Sequence, residues 1–329
     1  MRQRRSSVPL RLPLLLFFAG ILFTEGIAAQ QIDYRGEMRS LVEEISRYGK
    51  ERHPGFAVIP QNGQELLTSD GTAAGQFVSS YLDAIDGVGR EDLYYGYRAD
   101  NRKTPEYDTE YMLGYLTAAR DRGLSVLAVD YCRSRSKMDD SIEKNRTNGF
   151  LVFAADRREL DRIPTYPSRP VDVNNREINE LKDAANFLYI INPSDYSSRE
   201  AFISDLERSE YDMFIIDLFD DDGIPLTAVE IERLKRKPQG GRRLVISYMS
   251  IGEAEDYRYY WDSSWERNPP SWLERENPHW KGNYKVRYWY PLWKAMIFGN
   301  ENAYLDLILD RGFDGVYLDI IDAFWYFEN

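Results

Sequence analysis

The chain has 329 residues, with 54 acidic side chains against 42 lysines and arginines, a formal charge of −12, one cysteine and two histidines. This acidity disfavours nucleic acid or an anionic membrane as a partner, and a single cysteine excludes an internal disulfide. The scarcity of histidine argues against histidine-based triads and His-rich zinc sites. We therefore expect a monomer without cofactor or metal, whose chemistry rests on carboxylates, tyrosines and amides.

The N-terminal residues combine positive charge with an apolar run. Arginines lead into a run from Leu12 to Phe23, and small residues follow it up to Ala28 and Ala29. This order predicts a signal peptide over residues 1–29 and hence a secreted or periplasmic protein. The apolar run is short for a membrane-spanning helix, although an uncleaved N-terminal anchor is the alternative.

Helical and strand patterns then alternate to the end of the chain. Apolar residues at helical spacing from Met38 to Tyr48 predict an opening helix, and Ser198 fits as the N-cap of a later one. Short apolar, β-branched or aromatic runs predict eight strands: Phe56–Pro60, Ile85–Gly89, Leu124–Asp130, Phe150–Ala154, Phe187–Asn192, Tyr211–Asp217, Leu244–Ile251 and Phe313–Asp319. The second is the weakest, because Asp86 and Gly87 lie inside it. This alternation predicts an α/β fold, a single (β/α)8 TIM barrel over residues 30–329, with a doubly wound open sheet as the alternative.

The two ends of the predicted domain complement each other. A helix without a preceding strand opens it, and a strand without a full following helix ends it. If Phe313–Asp319 pairs beside Phe56–Pro60, the opening helix covers the gap and the barrel closes.

Two segments lack regular periodicity. Ile163–Asn175 contains three prolines and is predicted to be a linker over the surface. Asp256–Tyr290 is predicted to be a long irregular loop, and its tryptophans and tyrosines argue for a functional loop rather than a disordered one.

Polar side chains mark the C-terminal ends of most predicted strands. In a barrel these ends converge on one face, where active sites are built, although each residue alone is more often a turn or N-cap residue. The candidates are Gln61, Asn62, Glu91, Asp130, Asn192, Asp217, Glu253, Asp319 and Asp322.

Aromatic rings suggest a sugar ligand, because flat rings stack on pyranose faces. The region around the predicted loop contains Trp261, Trp265, Trp272, Trp280, Tyr284, Tyr288 and Trp289. The competing interpretation is a small satellite core under a long loop. Asp220–Asp222 could bind a hard cation, but a solvated acidic turn is the favoured interpretation.

Several blocks of sequence resemble glycoside hydrolase family 114, the endo-α-1,4-polygalactosaminidases and related bacterial extracellular barrels. They are ISYMSIGEAEDYRYYW (Ile246–Trp261), PPSWL, NPHWKGNYKVRYW and GFDGVYLDIIDAF (Gly312–Phe324), with VIPQNGQELL, IDGVGREDLYYG and VLAVDYC in the N-terminal half. In the family's usual order, the segment like Asn186–Phe327 precedes the segment like Tyr34–Ala154. The resemblance therefore implies a circular permutant joined through Ile163–Asn175.

The resemblance also implies a two-carboxylate mechanism. The family's acidic motif matches Asp319 and Asp322, with Asp319 expected as nucleophile or base and Glu91 as general acid. An acidic role near neutral pH requires a raised pKa for Glu91, which the charges of Asp319 and Asp130 could supply. The residues expected to bind sugar are Asp217, Glu253, Asp130, Tyr131, Tyr248, Gln61, Asn62 and Asp322.

The implied substrate is a cationic amino-sugar polymer, such as α-1,4-linked galactosaminan, whose amines would pair with these acids. Two other functions stay open. One is a non-catalytic carbohydrate-binding barrel at the cell surface. The other is a metal-dependent deacetylase or esterase, which the lack of a His-rich metal set disfavours.

Overall fold

A computed structural model describes residues 32–328. The predicted signal peptide, residues 1–29, lies outside the described residues. Among the residues that are described, no helix is long and apolar enough to cross a membrane. From Asp33 onwards they form one compact unit.

The helices begin with the predicted opening helix, α1. The Asp33 carboxylate caps it by accepting a hydrogen bond from the Gly36 N–H at 2.9 Å, and its apolar face, from Met38 to Ile45, is fully buried. The α-helices are α1 (Tyr34–Arg52), α2 (Ser79–Ala84), α3 (Glu106–Arg120), α4 (Arg135–Thr147), α5 (Arg199–Arg208), α6 (Ala228–Leu234), α7 (Pro291–Ile297), α8 (Tyr304–Asp310) and α9 (Phe324–Glu328).

All eight predicted strands are present, with shifted ends. The strands are β1 (Ala57–Pro60), β2 (Gly87–Glu91), β3 (Ser125–Tyr131), β4 (Leu151–Ala155), β5 (Leu188–Ile190), β6 (Met213–Asp217), β7 (Leu244–Ser250), β8 (Glu253–Glu255), β9 (Leu273–Glu276), β10 (Asn283–Val286) and β11 (Gly315–Asp319). Strand β6 is buried along its whole length, as expected for a parallel strand with both faces covered.

The eight predicted strands form two parallel sheets. One has the order β5-β6-β7-β11-β1 and the other the order β2-β3-β4. An isolated parallel bridge between Gln61 and Gly89 connects them beside β1 and β2. Between β4 and β5 the described residues form no ladder. The fold is therefore α/β with parallel sheets, as predicted.

The predicted pairing of the first and last of these strands is confirmed. Strand β1 runs parallel to β11, in register from Ala57 opposite Gly315 to Pro60 opposite Leu318. A Cβ atom at position 315 would lie 2.3 Å from the Ala57 carbonyl oxygen. Glycine is therefore required for the two backbones to approach this closely.

The ends of the described chain lie side by side. The rings of Tyr34 and Phe327 stack with centroids 5.4 Å apart, and Arg35 forms an ion pair with Glu328 at 2.9 Å. The proline-rich segment 163–175 contains neither helix nor strand, as predicted, and an ion pair between Arg169 and Glu210 at 2.6 Å attaches it to the loop before β6.

The prediction of a wholly irregular loop over Asp256–Tyr290 is wrong. Strands β8, β10 and β9 form an antiparallel sheet in this region. Most of its aromatic rings pack against each other: Trp261 with Trp265, Trp265 with Trp272, and Trp272 with Trp293, each pair with centroids 5.1 Å apart. These rings form the satellite core that was the competing interpretation.

Candidate functional site

A cavity of about 610 Å³ opens where the C-terminal ends of the parallel strands converge. It is lined by every predicted site residue except Asp130, namely Gln61, Asn62, Glu91, Tyr131, Asp217, Tyr248, Glu253, Asp319 and Asp322, together with Asn192. The strand-end residues picked out in the sequence therefore meet at one cavity.

Asp319 ends β11 inside this cavity. Its Oδ2 accepts a hydrogen bond from the Tyr248 hydroxyl at 2.8 Å, and its Oδ1 accepts one from the Ile320 N–H at 2.8 Å. Burial, reinforced by the negative charge of Glu91, raises the pKa of Asp319 to about 8 despite these two donors. Asp319 therefore carries a proton at neutral pH.

Glu91 ends β2 on the other sheet. The Tyr131 hydroxyl donates a short hydrogen bond to Glu91 Oε1, and the Asn62 amide donates to Oε2 at 3.3 Å. Asn62 also accepts from the Glu91 N–H at 3.2 Å, so it holds this residue at two points. Because both side-chain partners act as donors, they suit an ionised carboxylate.

Asp130 corrects a sequence-based expectation, because it does not line the cavity. Its carboxylate is fully buried and accepts hydrogen bonds from the N–H groups of Tyr94 and Tyr95 and from the side chains of Ser141 and Asn145. Side chains alternate across a strand, so Asp130 faces α4 while its neighbour Tyr131 faces the cavity. Asp130 is a structural residue that ties β3 to α4.

Asp217 already has a cationic partner. Arg258 donates to both of its oxygens, at 2.9 and 2.7 Å, and to Glu255 at 2.6 Å. Buried pairs of this bidentate kind are strongly held. The sequence did not reveal this arginine, because it lies 41 positions from Asp217.

Glu253 is similarly engaged. It forms a short ion pair with Lys285 and accepts a hydrogen bond from the Asn277 amide at 2.8 Å. Asp217 and Glu253 are therefore both ion-paired within the protein before a ligand binds.

The cavity is also lined by Tyr189, a buried tyrosine that the sequence did not single out. The Tyr189 hydroxyl donates to Gln61 at 3.2 Å, and its ring contacts that of Tyr317. The Tyr317 hydroxyl is fully buried and has no hydrogen-bond partner among residues 32–328. Burial and the nearby carboxylates Glu91 and Asp319 raise the pKa of both tyrosines well above its ordinary value.

Comparison with known proteins assigns part of the chain. Residues 171–329 match the sequence profile of Glycoside-hydrolase family GH114. This segment, just under half of the chain, is similar to glycoside hydrolase family 114. The match confirms the resemblance seen in the sequence over these residues. Asp319, Tyr248, Asp217 and Glu253 lie within this family 114 segment, whereas Glu91 lies outside it.

Three curated relatives are similar to this chain. An uncharacterized protein of Methanocaldococcus jannaschii is 42% identical over 161 residues, which is 46% of this chain and 44% of the relative. One from Deinococcus radiodurans is 42% identical over 124 residues, 38% and 37% of the two chains. One from Thermotoga maritima is 40% identical over 134 residues, 41% and 40% of the two chains. The matched part spans less than half of each relative.

Asp322, in the same family 114 segment, follows Asp319 by one turn. It forms no ion pair and no side-chain hydrogen bond with any other residue in the described range. Burial raises its pKa, and the positive charges of Arg90 and Lys285 oppose this effect. Asp322 therefore offers an uncommitted carboxyl group to a ligand.

Arg158 lies on the other wall of the cavity. Its guanidinium stacks on the Tyr131 ring, 3.8 Å from the centroid, and pairs with Asp92 at 2.8 Å. Burial nevertheless raises the pKa of Asp92 to about 6. Arg158 thus fixes the tyrosine that donates to Glu91.

The rim of the cavity carries exposed aromatic rings. Trp280, Tyr257 and Tyr259 are 57%, 58% and 42% exposed. Trp280 and Tyr257 are available to stack on a sugar, whereas the Tyr259 ring already stacks on that of Phe219 with centroids 5.3 Å apart.

The acidic turn Asp220–Asp222 borders the cavity and is held by local contacts. Asp220 accepts from the Ile224 N–H at 2.8 Å and pairs with Arg199 at 3.1 Å. Across the described part of the chain, no group of three or more His, Cys, Asp or Glu side chains is arranged to hold a metal ion.

Proposed function

We propose that this protein is a glycoside hydrolase that cleaves an amino-sugar polymer, such as α-1,4-linked galactosaminan, by a two-carboxylate mechanism. The observation that carries the proposal is the meeting of Asp319 and Glu91 in one cavity, each hydrogen-bonded to a tyrosine hydroxyl. Glycosidases need one protonated and one ionised carboxyl group. The family 114 assignment of residues 171–329 supports the same reaction class.

The raised pKa of Asp319 suggests roles opposite to those expected from sequence. Asp319, protonated at neutral pH, would give its proton to the glycosidic oxygen as the C–O bond breaks. Glu91, held by donors on both oxygens, would attack the anomeric carbon or remove a proton from the attacking water.

An ammonium on the substrate would be attracted chiefly to Asp322 and the catalytic pair. Asp217 and Glu253 already form ion pairs with Arg258 and Lys285, so they would accept hydroxyl hydrogen bonds instead. Exposed rings at the rim would stack on sugar faces.

For the architecture, we propose a closed, circularly permuted (β/α)8 barrel. The continuous strand order from β5 through β1 to β4 supports closure, with the rings of Phe153 and Phe187 meeting 6.0 Å apart between β4 and β5. The family match begins at residue 171, inside the predicted linker, which supports a junction there. We also propose that residues 1–29 direct secretion and that the protein acts as a monomer.

The test is hydrolysis of de-N-acetylated galactosaminan, which is monitored through the release of reducing ends. We expect Asp319→Asn and Glu91→Gln each to lower kcat by roughly 10²–10⁴, with polymer binding retained. The exposed Asp310→Asn is the matched control and should keep full activity. The rate of the unaltered protein should fall as pH rises through about 8, as Asp319 loses its proton.

Substrate charge is tested by repeating the assay with N-acetylated polymer and at higher salt. Both changes remove the same attraction, so KM should rise. A protein that binds the deacetylated polymer without ever cleaving it would be a carbohydrate-binding barrel, and the enzyme proposal would be wrong.

A further inference from the structure

A second, smaller pocket lies beside the main cavity. It has a volume of about 140 Å³, and we name it the satellite pocket. It is lined by Gln64, Glu65, Arg90, Tyr97, Tyr111 and Asp322, among others. Asp322 lines both this pocket and the main cavity, so a bound chain that contacts Asp322 can reach into either.

The floor of the satellite pocket is a built polar network. Gln64 and Glu65 are 6% and 5% exposed. The Gln64 amide donates to Glu65 at 2.9 Å and accepts from Arg90 at 2.9 Å, and the Tyr111 hydroxyl donates to Glu65 at 2.5 Å. Buried polar groups fixed in this way hold their orientation before a ligand arrives.

The pocket offers both a hydrogen-bond donor and an acceptor. The Arg90 side chain lines it and donates to Gln64 through Nη1, and Asp322 is the uncommitted carboxyl described above. A guanidinium and a carboxyl group in one pocket suit a ligand that carries both hydroxyl and amine groups.

The remaining features select a sugar unit over an anion. Tyr97, at the pocket edge, is 47% exposed and can stack on a pyranose face. The carboxyl groups of Glu65, Asp108 and Asp322 outnumber the single cation Arg90 in the lining, so a phosphate or carboxylate ligand would be repelled.

We propose that the satellite pocket binds an additional amino-sugar unit of the same polymer, beyond the units held in the main cavity. The Arg90 guanidinium binds a sugar hydroxyl, Asp322 binds the amine, and Tyr97 packs on the ring. This inference rests on the proposed function, and it adds that long chains bind more tightly than short ones.

The experiment measures binding calorimetrically in the Asp319→Asn background, which stops turnover. The ligands are galactosaminan oligomers of about three and about eight units. Tyr97→Ala should weaken binding of the longer oligomer about tenfold, the loss of one aromatic stacking contact of about 1.4 kcal/mol, and leave the shorter one within about twofold. Tyr107→Ala removes a tyrosine that is 78% exposed outside the pocket and should change neither.

Equal losses for both lengths, or no loss for the longer one, would overturn the satellite site while leaving the proposed function intact. If the Asp319→Asn protein bound neither oligomer, the proposed substrate would be wrong and the satellite site would fall with it.

Discussion

Replacement of Asp319 by asparagine should make the protein increasingly more stable than the native protein as pH rises, although it abolishes the proposed activity. The pKa of this carboxyl is about 8 in the folded chain, against an ordinary value of 3.8. Between these values the folded protein keeps a proton that the unfolded chain releases. The stability contributed by native Asp319 is therefore complete below about pH 4, declines as pH rises, and is lost above about 8.

The size of the effect follows from the shift. One pKa unit corresponds to about 1.4 kcal/mol, so the three units between pH 5 and pH 8 set a ceiling of about 4 kcal/mol. The carboxyl is only partly buried at the cavity floor, and solvent screening reduces the expected change to roughly 2 kcal/mol. Asparagine cannot ionise, so the variant lacks this loss.

The assay is urea unfolding of both proteins at pH 5, 6.5, 8 and 9, with the difference in free energy of unfolding plotted against pH. The free energy of unfolding of the variant should rise relative to that of the native protein up to about pH 8, and the difference should then stay constant. Asp310→Asn, an exposed control on α8, should give a flat difference. A flat difference for Asp319→Asn as well would refute the raised pKa and the role of proton donor that depends on it.

Two other changes test the fold around the site. Gly89→Ala would place a Cβ atom 2.1 Å from the Tyr317 hydroxyl oxygen and should lower the free energy of unfolding by about 1–3 kcal/mol. The same substitution should cost less in a Tyr317→Phe background, because the clashing oxygen is then absent. An equal cost in both backgrounds, measured by urea unfolding, would argue against this contact. A chain joined from residue 328 to residue 33 and opened within 163–175 should fold with the circular dichroism spectrum of the parent, because Tyr34 and Phe327 already touch; a protein that only aggregates would contradict the proposed permutation.

The sequence predicted the eight parallel strands because each is a short apolar run between turn residues. It misplaced the ends of β2, predicted as Ile85–Gly89 but found at Gly87–Glu91. Asp86 there accepts from the Val58 N–H at 2.8 Å and pairs with Lys50 at 3.0 Å. Tertiary contacts of this kind decide where the strand begins, and they outweigh the low strand propensity of the glycines inside it.

The sequence predicted where the candidate residues lie more reliably than what their side chains contact. Strand ends identified the cavity walls, but only the alternation of side chains along β3 separates Asp130 from Tyr131, and that signal was present in the sequence. The pairing of Asp217 with Arg258 joins residues far apart along the chain, and the pKa of Asp319 depends on burial. No local pattern encodes either property.

The two carboxyl groups proposed to act together belong to different sheets, and this has a mechanical consequence. Asp319 ends a strand of the five-stranded sheet and Glu91 ends a strand of the three-stranded one, with the isolated bridge at Gly89 between them. A small sliding of one sheet against the other would change the gap between the carboxyl groups without moving any side chain relative to its own strand. That gap decides whether a glycosidase retains or inverts the anomeric centre. The stereochemistry of such an enzyme would therefore depend on how rigidly the two sheets are joined beside β1 and β2.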